Sequence, residues 1–193
     1  MGFAERKEIA LRKFEEDLKE GKVDLKIVPT LRLINSLEHF YSLSSCSGRI
    51  SLLRFSKDFK KRKGSVLYKW HEPVKAEEVM RKIGELLGKV ENLMLCLEGA
   101  ILHLSSNDLK LAIKLLNQAR NIGFKKGGII SIREEEVILQ LESTERLIIP
   151  VIVNSELIAD EGLISKAVGL ANLLLDRTHQ KIERLNKILE EFR

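Results

Sequence analysis

Residues 43–50 read LSSCSGRI. Three serines, a cysteine, a glycine and an arginine crowd between two apolar runs, FYSL and ISLLRF. A simple hairpin needs only an Asn-Gly or Asp-Gly pair, so this composition points to a segment that grips a ligand. Gly48 can take backbone angles closed to other residues. Ser44, Ser45 and Ser47 can offer hydroxyls and backbone N–H groups to an anion. Arg49 can hold a carboxylate or phosphate through two parallel hydrogen bonds. The plainer alternative is a polar turn with a solvent-facing arginine.

Other reactive side chains are scattered. Trp70-His71-Glu72-Pro73 closes a strand-like run. There His71 could titrate near neutral pH and Trp70 could stack on a base, or both could serve only to end the strand. His103 closes the apolar run AILHL, where a satisfied core histidine is the commoner outcome. His39 and His179 lie in charged helical contexts and read as structural. Cys46, Cys96, His71 and His103 are zinc-ligand types, yet no two form a local chelating pair, and no metal is expected. Two basic runs, Lys57, Lys60, Lys61, Arg62 and Lys63 in KDFKKRKG and Lys125 and Lys126 in GFKKGG, suit RNA phosphates or plain solvation.

Several standard chemistries are absent. The chain has no GxxxxGK[ST] phosphate loop, no GxGxxG after a strand, no GxSxG elbow and no HExxH. The missing glycine motif argues against a Rossmann-type nucleotide site.

The elements that must position these residues follow from periodicity. Residues 3–20 set Phe3, Ala10, Leu11, Phe14 and Leu18 on one helical face, with Gly21 as the stop. Residues 29–39 read as a second helix with Pro29 in its first turn. FYSL, ISLLRF and SVLYKW read as strands, and residues 75–88 as a helix. Residues 91–104 read as two strands broken near Glu98–Gly99. SSND suggests a capping box from Ser105 to Asp108, opening a helix to Asn121. Residues 127–153 read as several strands with tight polar turns. From Ile164 to Phe192 apolar residues step by four and three, giving one long amphipathic helix that lies across a sheet or forms a dimer seam. The expected architecture is α+β, with a mixed β-sheet, flanking helices and a long C-terminal helix. It is a single domain over residues 1–193, with interwoven halves as the alternative.

With 193 residues, 44% of them hydrophobic, the chain can fill a core. Its net charge of +5 permits a polyanionic partner. Mixed charge at 32% of residues is common in thermophile proteins. The charged start MGFAERKEIALRKF is no secretory signal and no apolar run is long enough to span a membrane, so a cytoplasmic protein is expected.

Taken in order, SSCSGRI, the Trp-His step, ILHLSSNDLKLAIKLLNQARNIGFKKGGIIS and AxxxANLLLDRTHQKIERL resemble the tRNA wybutosine-synthesizing protein 3 family over nearly the whole chain. The resemblance implies an archaeal-type, S-adenosylmethionine-dependent tRNA methyltransferase without the Rossmann fold. It implies methylation of N-4 of the tricyclic 7-aminocarboxypropyl-demethylwyosine base 3′ to the anticodon of phenylalanine tRNA. On the family pattern Ser44, Ser45, Cys46, Ser47, Gly48 and Arg49 form the signature. Asp24 matches its acidic step, Trp70 and His71 its strand-end pair, and His103, Gly123, Phe124 and Ser131 its middle block. The reading this supports makes Asp24 or His71 the base and Arg49 a carboxylate or phosphate clamp. Ser44, Ser45, Ser47, Gly48, His103 and Ser131 then belong to the cofactor or substrate site, and the lysines hold the tRNA anticodon loop. A monomer or homodimer is expected. The alternative is a non-catalytic tRNA- or RNA-binding protein using the same loops.

Overall fold

The computed structural model describes residues 2–58, 64–133 and 136–193. Five helices and nine strands follow in the order α1 (Phe3–Lys19), α2 (Val28–Ser36), β1 (Phe40–Cys46), β2 (Arg49–Phe55), β3 (Val66–Trp70), α3 (Ala76–Leu86), β4 (Asn92–Glu98), β5 (Ile101–Ser106), α4 (Leu109–Asn121), β6 (Lys126–Arg133), β7 (Glu136–Glu142), β8 (Arg146–Val153), β9 (Glu156–Leu157) and α5 (Glu161–Glu190) among the described residues. The α+β class and the long C-terminal helix are as expected. The strands form two sheets where one mixed sheet was expected, and every pairing among the described residues is antiparallel. The links between successive strands are mostly too short for the crossover a parallel pair requires.

The chain groups into two compact units. The first takes residues 1–47, 100–144 and 178–193. Its sheet has the order β1-β5-β7-β6. Leu102 and Leu104 of β5 and Val137, Leu139 and Leu141 of β7 alternate onto one face, where α2, α4 and the end of α5 cover them. Leu31 and Ile34 of α2, Leu115 and Ala119 of α4, and Ile182, Leu185 and Leu189 of α5 supply the helical side of that core at spacings of three and four. The second unit takes residues 48–99 and 145–177, with the sheet β3-β2-β4-β8-β9. Its core joins Ile50, Leu93, Leu95, Leu97 and Val151 to Val79 and Ile83 of α3 and to Ile164, Val168, Ala171 and Leu175 of α5.

α5 thus serves both cores, giving residues up to Arg177 to one unit and from Thr178 to the other. The stripe from Ile164 to Leu189 is buried within its own chain, which favours a helix packed on sheets over a dimer seam. The helix α4 departs from the expected capping box. Asp108 is itself the N-cap and accepts from the backbone N–H groups of Lys110 and Leu111 (2.7 and 3.0 Å). Ser105 cannot take part, because it belongs to β5 and its hydroxyl is turned to Glu136.

α1 covers one end of the first sheet's other face. Phe3 packs on Tyr41 with ring centroids 5.2 Å apart. Arg6 Nε lies 3.5 Å from Glu136 Oε2. The hydroxyls of Tyr41 and Ser105 both donate to Glu136 Oε1. Burial alone would push the Glu136 carboxyl up. The hydrogen bonds from Ser105 and Tyr41, with the charges of Arg6 and Arg133, more than offset it and hold the pKa below the ordinary glutamate value. Burial first, then the contact with Glu136, pushes the Tyr41 phenol upward.

Glu136 is only 5% exposed, so Glu136→Gln should lower stability near neutral pH by about 1–3 kcal/mol in urea titrations. Because the folded pKa lies below the unfolded one, that contribution is complete above the ordinary glutamate range. It is lost as pH falls through the lowered value, and the two proteins should converge there.

Candidate active site

The serine segment is held from within the first unit by the loop between α1 and α2. Ser47 donates its backbone N–H (2.9 Å) and its hydroxyl to Asp24 Oδ2. Asp24 Oδ1 accepts from the N–H of Lys26 at 3.0 Å, an aspartate-type turn that fixes the carboxylate. Ser47 is buried, so these bonds satisfy groups that water does not reach. Upstream, Asn35 Oδ1 accepts from the N–H of Ser42 at 2.8 Å.

Between those two anchors β1 carries a bulge. Ser42 pairs with Leu104 but Ser45 pairs with Leu102, leaving one extra residue on β1. The bulge flips the side-chain alternation. Ser44 emerges on the face of His103, with its Oγ 3.0 Å from His103 Nδ1. Ser45 falls in register with Leu102, and its Oγ is buried without a partner among the described residues. His103 Nε2 lies 2.9 Å from Gln140 Oε1, and Gln140 Nε2 donates to Glu142 Oε2 at 2.8 Å.

Beside this strand runs a groove of about 420 Å³, lined by Ala10, Phe14, Val23 and Leu31, by Lys13, Asp17 and Lys22, and by residues 42–45. Its size falls within the roughly 300–1,000 Å³ of small-ligand sites. The groove exists because the apolar face of α1 is only half buried at Ala10 and Phe14.

In the second unit Gly48 has φ of 97°, which a side chain would strain. His71 Nδ1 lies 2.9 Å from the Gly48 carbonyl. A carbonyl only accepts, so Nδ1 carries the proton and neutral His71 has its lone pair on Nε2. Arg49 directs Nε and Nη2 to Glu98 Oε2 at 3.0 and 2.8 Å, its cross-strand neighbour on β4. Trp70 donates to Glu78 Oε1 (2.8 Å) and stacks on Tyr68 with centroids 6.3 Å apart, a packing role against α3. The chain after His71 is pinned by Asn172, whose amide bonds both N–H and C=O of Val74 (3.0 and 2.8 Å).

Of the remaining expected residues, Ser131 lies on β6 opposite Ile138. Lys125 and Lys126 are exposed where β6 begins, with Lys126 3.9 Å from Glu142. Lys57 is 86% exposed and 3.5 Å from Glu91. Lys60, Lys61, Arg62 and Lys63 lie outside the described residues. The structure therefore joins Asp24 to Ser47, Ser44 to His103 and Gly48 to His71. The residues that sequence reading missed are their partners, Glu98, Gln140 and Glu142, and the groove residues of α1. Gln140 and Glu142 were signalled by polar residues at a spacing of two in the apolar run VILQLE.

A nucleoside-bearing methyl donor needs an apolar slot, hydrogen-bonding atoms at its rim and a carboxylate for its cationic groups. The groove offers Phe14, Val23 and Leu31, then Ser44, then Asp17, whose Oδ2 lies 3.2 Å from Lys13 Nζ, and so fits such a group.

Two antiparallel sheets and no dinucleotide-binding glycine motif place the chain outside the Rossmann type, and comparison with known proteins gives its class, that of a methyltransferase. The family described as Methyltransferase TYW3 matches residues 5–191. The tRNA(Phe) 7-((3-amino-3-carboxypropyl)-4-demethylwyosine(37)-N(4))-methyltransferase 1 of Thermococcus kodakarensis is 37% identical over 98% of this chain and 94% of its own. The enzyme of the same activity from Thermococcus sibiricus is 36% identical over 97% of this chain and 94% of its own. The solved structure of the PH1069 protein from Pyrococcus horikoshii superposes with a TM-score of 0.88 at 34% identity, covering 100% of this chain and 96% of that one. The chain belongs to the methyltransferase TYW3 family, and the alternative of a non-catalytic RNA binder is set aside. No helix among the described residues is long and apolar enough to cross a membrane.

Asp24→Ala would leave the buried Ser47 donors unsatisfied and should lower stability by about 1–3 kcal/mol. A double-mutant cycle with Ser47→Ala, read by thermal or urea unfolding, should show a coupling above about 0.5 kcal/mol. Additive losses would remove the carboxylate's role as anchor.

Proposed function

We propose that this protein methylates N-4 of the tricyclic 7-aminocarboxypropyl-demethylwyosine base 3′ to the anticodon of phenylalanine tRNA, with S-adenosylmethionine as donor. The observation that carries this reading is near-full-length similarity to enzymes bearing that activity in their names, at 36–37% identity. The donor, when bound, supplies an electrophilic methyl carbon on a sulfonium.

The chain's own residues have three tasks. They must seat a nucleoside, hold the target nitrogen in line, and take its proton. The groove beside α1 seats the nucleoside, with Phe14 and Val23 against its apolar surface and Ser44 and Ser45 at its polar edge. Of the two candidate bases, His71 is favoured, because its bond to Gly48 leaves Nε2 as the basic nitrogen. Both Asp24 oxygens already accept hydrogen bonds, which assigns Asp24 to holding the serine segment. Arg49 is the candidate clamp for the carboxylate of the aminocarboxypropyl arm or a phosphate. It would exchange or share Glu98, whose contact keeps the guanidinium oriented in the meantime. Lys57, Lys125 and Lys126, with Lys60, Lys61, Arg62 and Lys63, are assigned to the tRNA backbone.

The test is a methyl-transfer assay with labelled S-adenosylmethionine and phenylalanine tRNA carrying the unmethylated tricyclic base, read by nucleoside mass. One added methyl on that base is expected. A native protein that adds none to intact substrate would end the proposal. Arg49→Ala should lower kcat/KM by about 10- to 100-fold, the equivalent of roughly 1.5–3 kcal/mol for a charge-assisted bond. His71→Ala should flatten the acidic limb of the rate–pH profile, whereas Asp24→Asn should keep its shape. If both variants retain native rates, neither residue is the base. Charge reversal at Lys125 and Lys126 should weaken tRNA binding and reduce the salt slope by about one to two.

A further inference from the structure

The outer face of the first sheet carries a polar chain that runs from strand to strand. It starts at Ser44 on β1, crosses His103 on β5 and ends at Gln140 and Glu142 on β7. Each link constrains the next. Glu142 Oε2 can only accept from an amide at neutral pH, so the NH₂ group of Gln140 must be the end that faces it. That turns Gln140 Oε1 toward His103, and an amide oxygen also only accepts. Nδ1 also faces an acceptor, the Ser44 carbonyl oxygen, but at 3.3 Å against 2.9 Å for Gln140 Oε1, so the single proton of the neutral ring belongs on Nε2. In the opposite tautomer two lone pairs would face each other across 2.9 Å. Neutral His103 is left with its lone pair on Nδ1, 3.0 Å from Ser44 Oγ. The Ser44 hydroxyl hydrogen is drawn to that lone pair.

Ser44 also lines the groove beside α1. With its hydrogen committed to His103, its oxygen meets a groove ligand as an acceptor. The next residue, Ser45, lines the same groove, and its buried hydroxyl has no partner among the described residues. The open flank of Gln140 supports the arrangement. Gly128 is its cross-strand neighbour, and a Cβ there would meet nothing within 4 Å. At Gly127 a Cβ would fall 2.2 Å from the Gln140 carbonyl oxygen, so the glycine is what lets β6 approach β7 at this point.

We propose that Gln140 and Glu142 are positioning residues for ligand recognition in the groove: they hold His103 as its Nε2–H tautomer, commit the Ser44 hydroxyl to Nδ1, and leave the Ser44 oxygen to accept from an amino or hydroxyl group of a bound nucleoside. The nucleoside comes either from the methyl donor or from the tRNA. The choice of ligand class rests on the methyltransferase reading, whereas the tautomer rests on the hydrogen-bond chain alone.

Two measurements test it on the full chain. Nitrogen-15 NMR of histidine-labelled protein, at a pH about two units above the ordinary histidine value, reads the tautomer directly. Calorimetry reads affinity for two probes, S-adenosylhomocysteine and phenylalanine tRNA carrying the unmethylated tricyclic base. The native protein should show His103 protonated at Nε2. Ser44→Ala and Gln140→Leu should each bind one of the probes about tenfold more weakly. A loss confined to S-adenosylhomocysteine places the donor's nucleoside in the groove, and a loss confined to tRNA places the target nucleotide there. Gln140→Glu combined with Glu142→Gln exchanges the two groups, so that a carboxylate oxygen accepts from Nε2 while the new amide donates to the carboxylate, and this double variant should keep the tautomer and stay within about threefold of native affinity. A merely structural role for Gln140 would not distinguish Gln140→Leu from the exchanged pair in this way. An Nδ1–H tautomer in the native protein overturns the proposal, as does unchanged affinity for both probes in Ser44→Ala and Gln140→Leu. A native protein that binds neither probe overturns the methyltransferase reading instead, and the NMR result then decides the tautomer by itself.

Discussion

The candidate site in the first unit depends on one carboxylate. Asp24 lies in the turn between α1 and α2, and its Oδ2 takes both donors of Ser47. Ser47 directly follows a strand whose alternation has just been inverted by a bulge. A bulged strand without a fixed end could slip by one residue and return every side chain to the opposite face. With Asp24 at one end and Asn35 at the other, the bulge is confined to Leu43 and Ser44. The same turn carries Lys22 and Val23, which form part of the groove. A single aspartate therefore ties the groove wall to the strand that supplies its polar atoms.

The second unit uses cross-strand pairing for a similar end. Arg49 and Glu98 face each other directly across β2 and β4. At 26% and 38% exposure the pair is too wet to contribute much stability. Its value is orientation: the guanidinium keeps one geometry while remaining within reach of solvent and solutes. His71 is oriented by a backbone carbonyl, and the segment following it is pinned to α5 by the Asn172 amide. In each unit side chains with chemistry to perform are fixed by backbone or by a neighbouring strand, which keeps the cost of ordering them out of the binding step.

The sequence was most legible where a pattern is local. The stepping from Ile164 to Leu189 named the buried face of α5 residue by residue. The break near Glu98–Gly99 separated β4 from β5. Composition alone drew attention to the segment 44–49. Illegible were the features made by distant pairing. Ser44 and His103 are 59 residues apart in the chain, and nothing in either neighbourhood names the other. The bulge is invisible in FYSLSSC because it exists only relative to β5. Ser105 was misread for the same reason. Its local context, SSND, imitates a helix cap, whereas its actual partner is Glu136, far along the chain. Nothing local names a partner for Glu136 or Gln140, and only the register between β5 and β7 gives them their roles.

The way α5 is shared also bears on how the molecule comes into being on the ribosome. Ile182, Leu185 and Leu189 are integral to the first unit's core, alongside Ile27, Leu31 and Phe40. A nascent chain that has already released α1, α2 and β1 still lacks one wall of the core those elements need. The second unit, by contrast, is complete once Arg177 has emerged. Domains tend to fold as units while synthesis proceeds, so α1, α2 and β1, which are made before the second unit, belong to the unit completed after it. Until then the apolar sides of α2 and β1 wait without their final cover, and this is the interval in which a chaperone has something to hold.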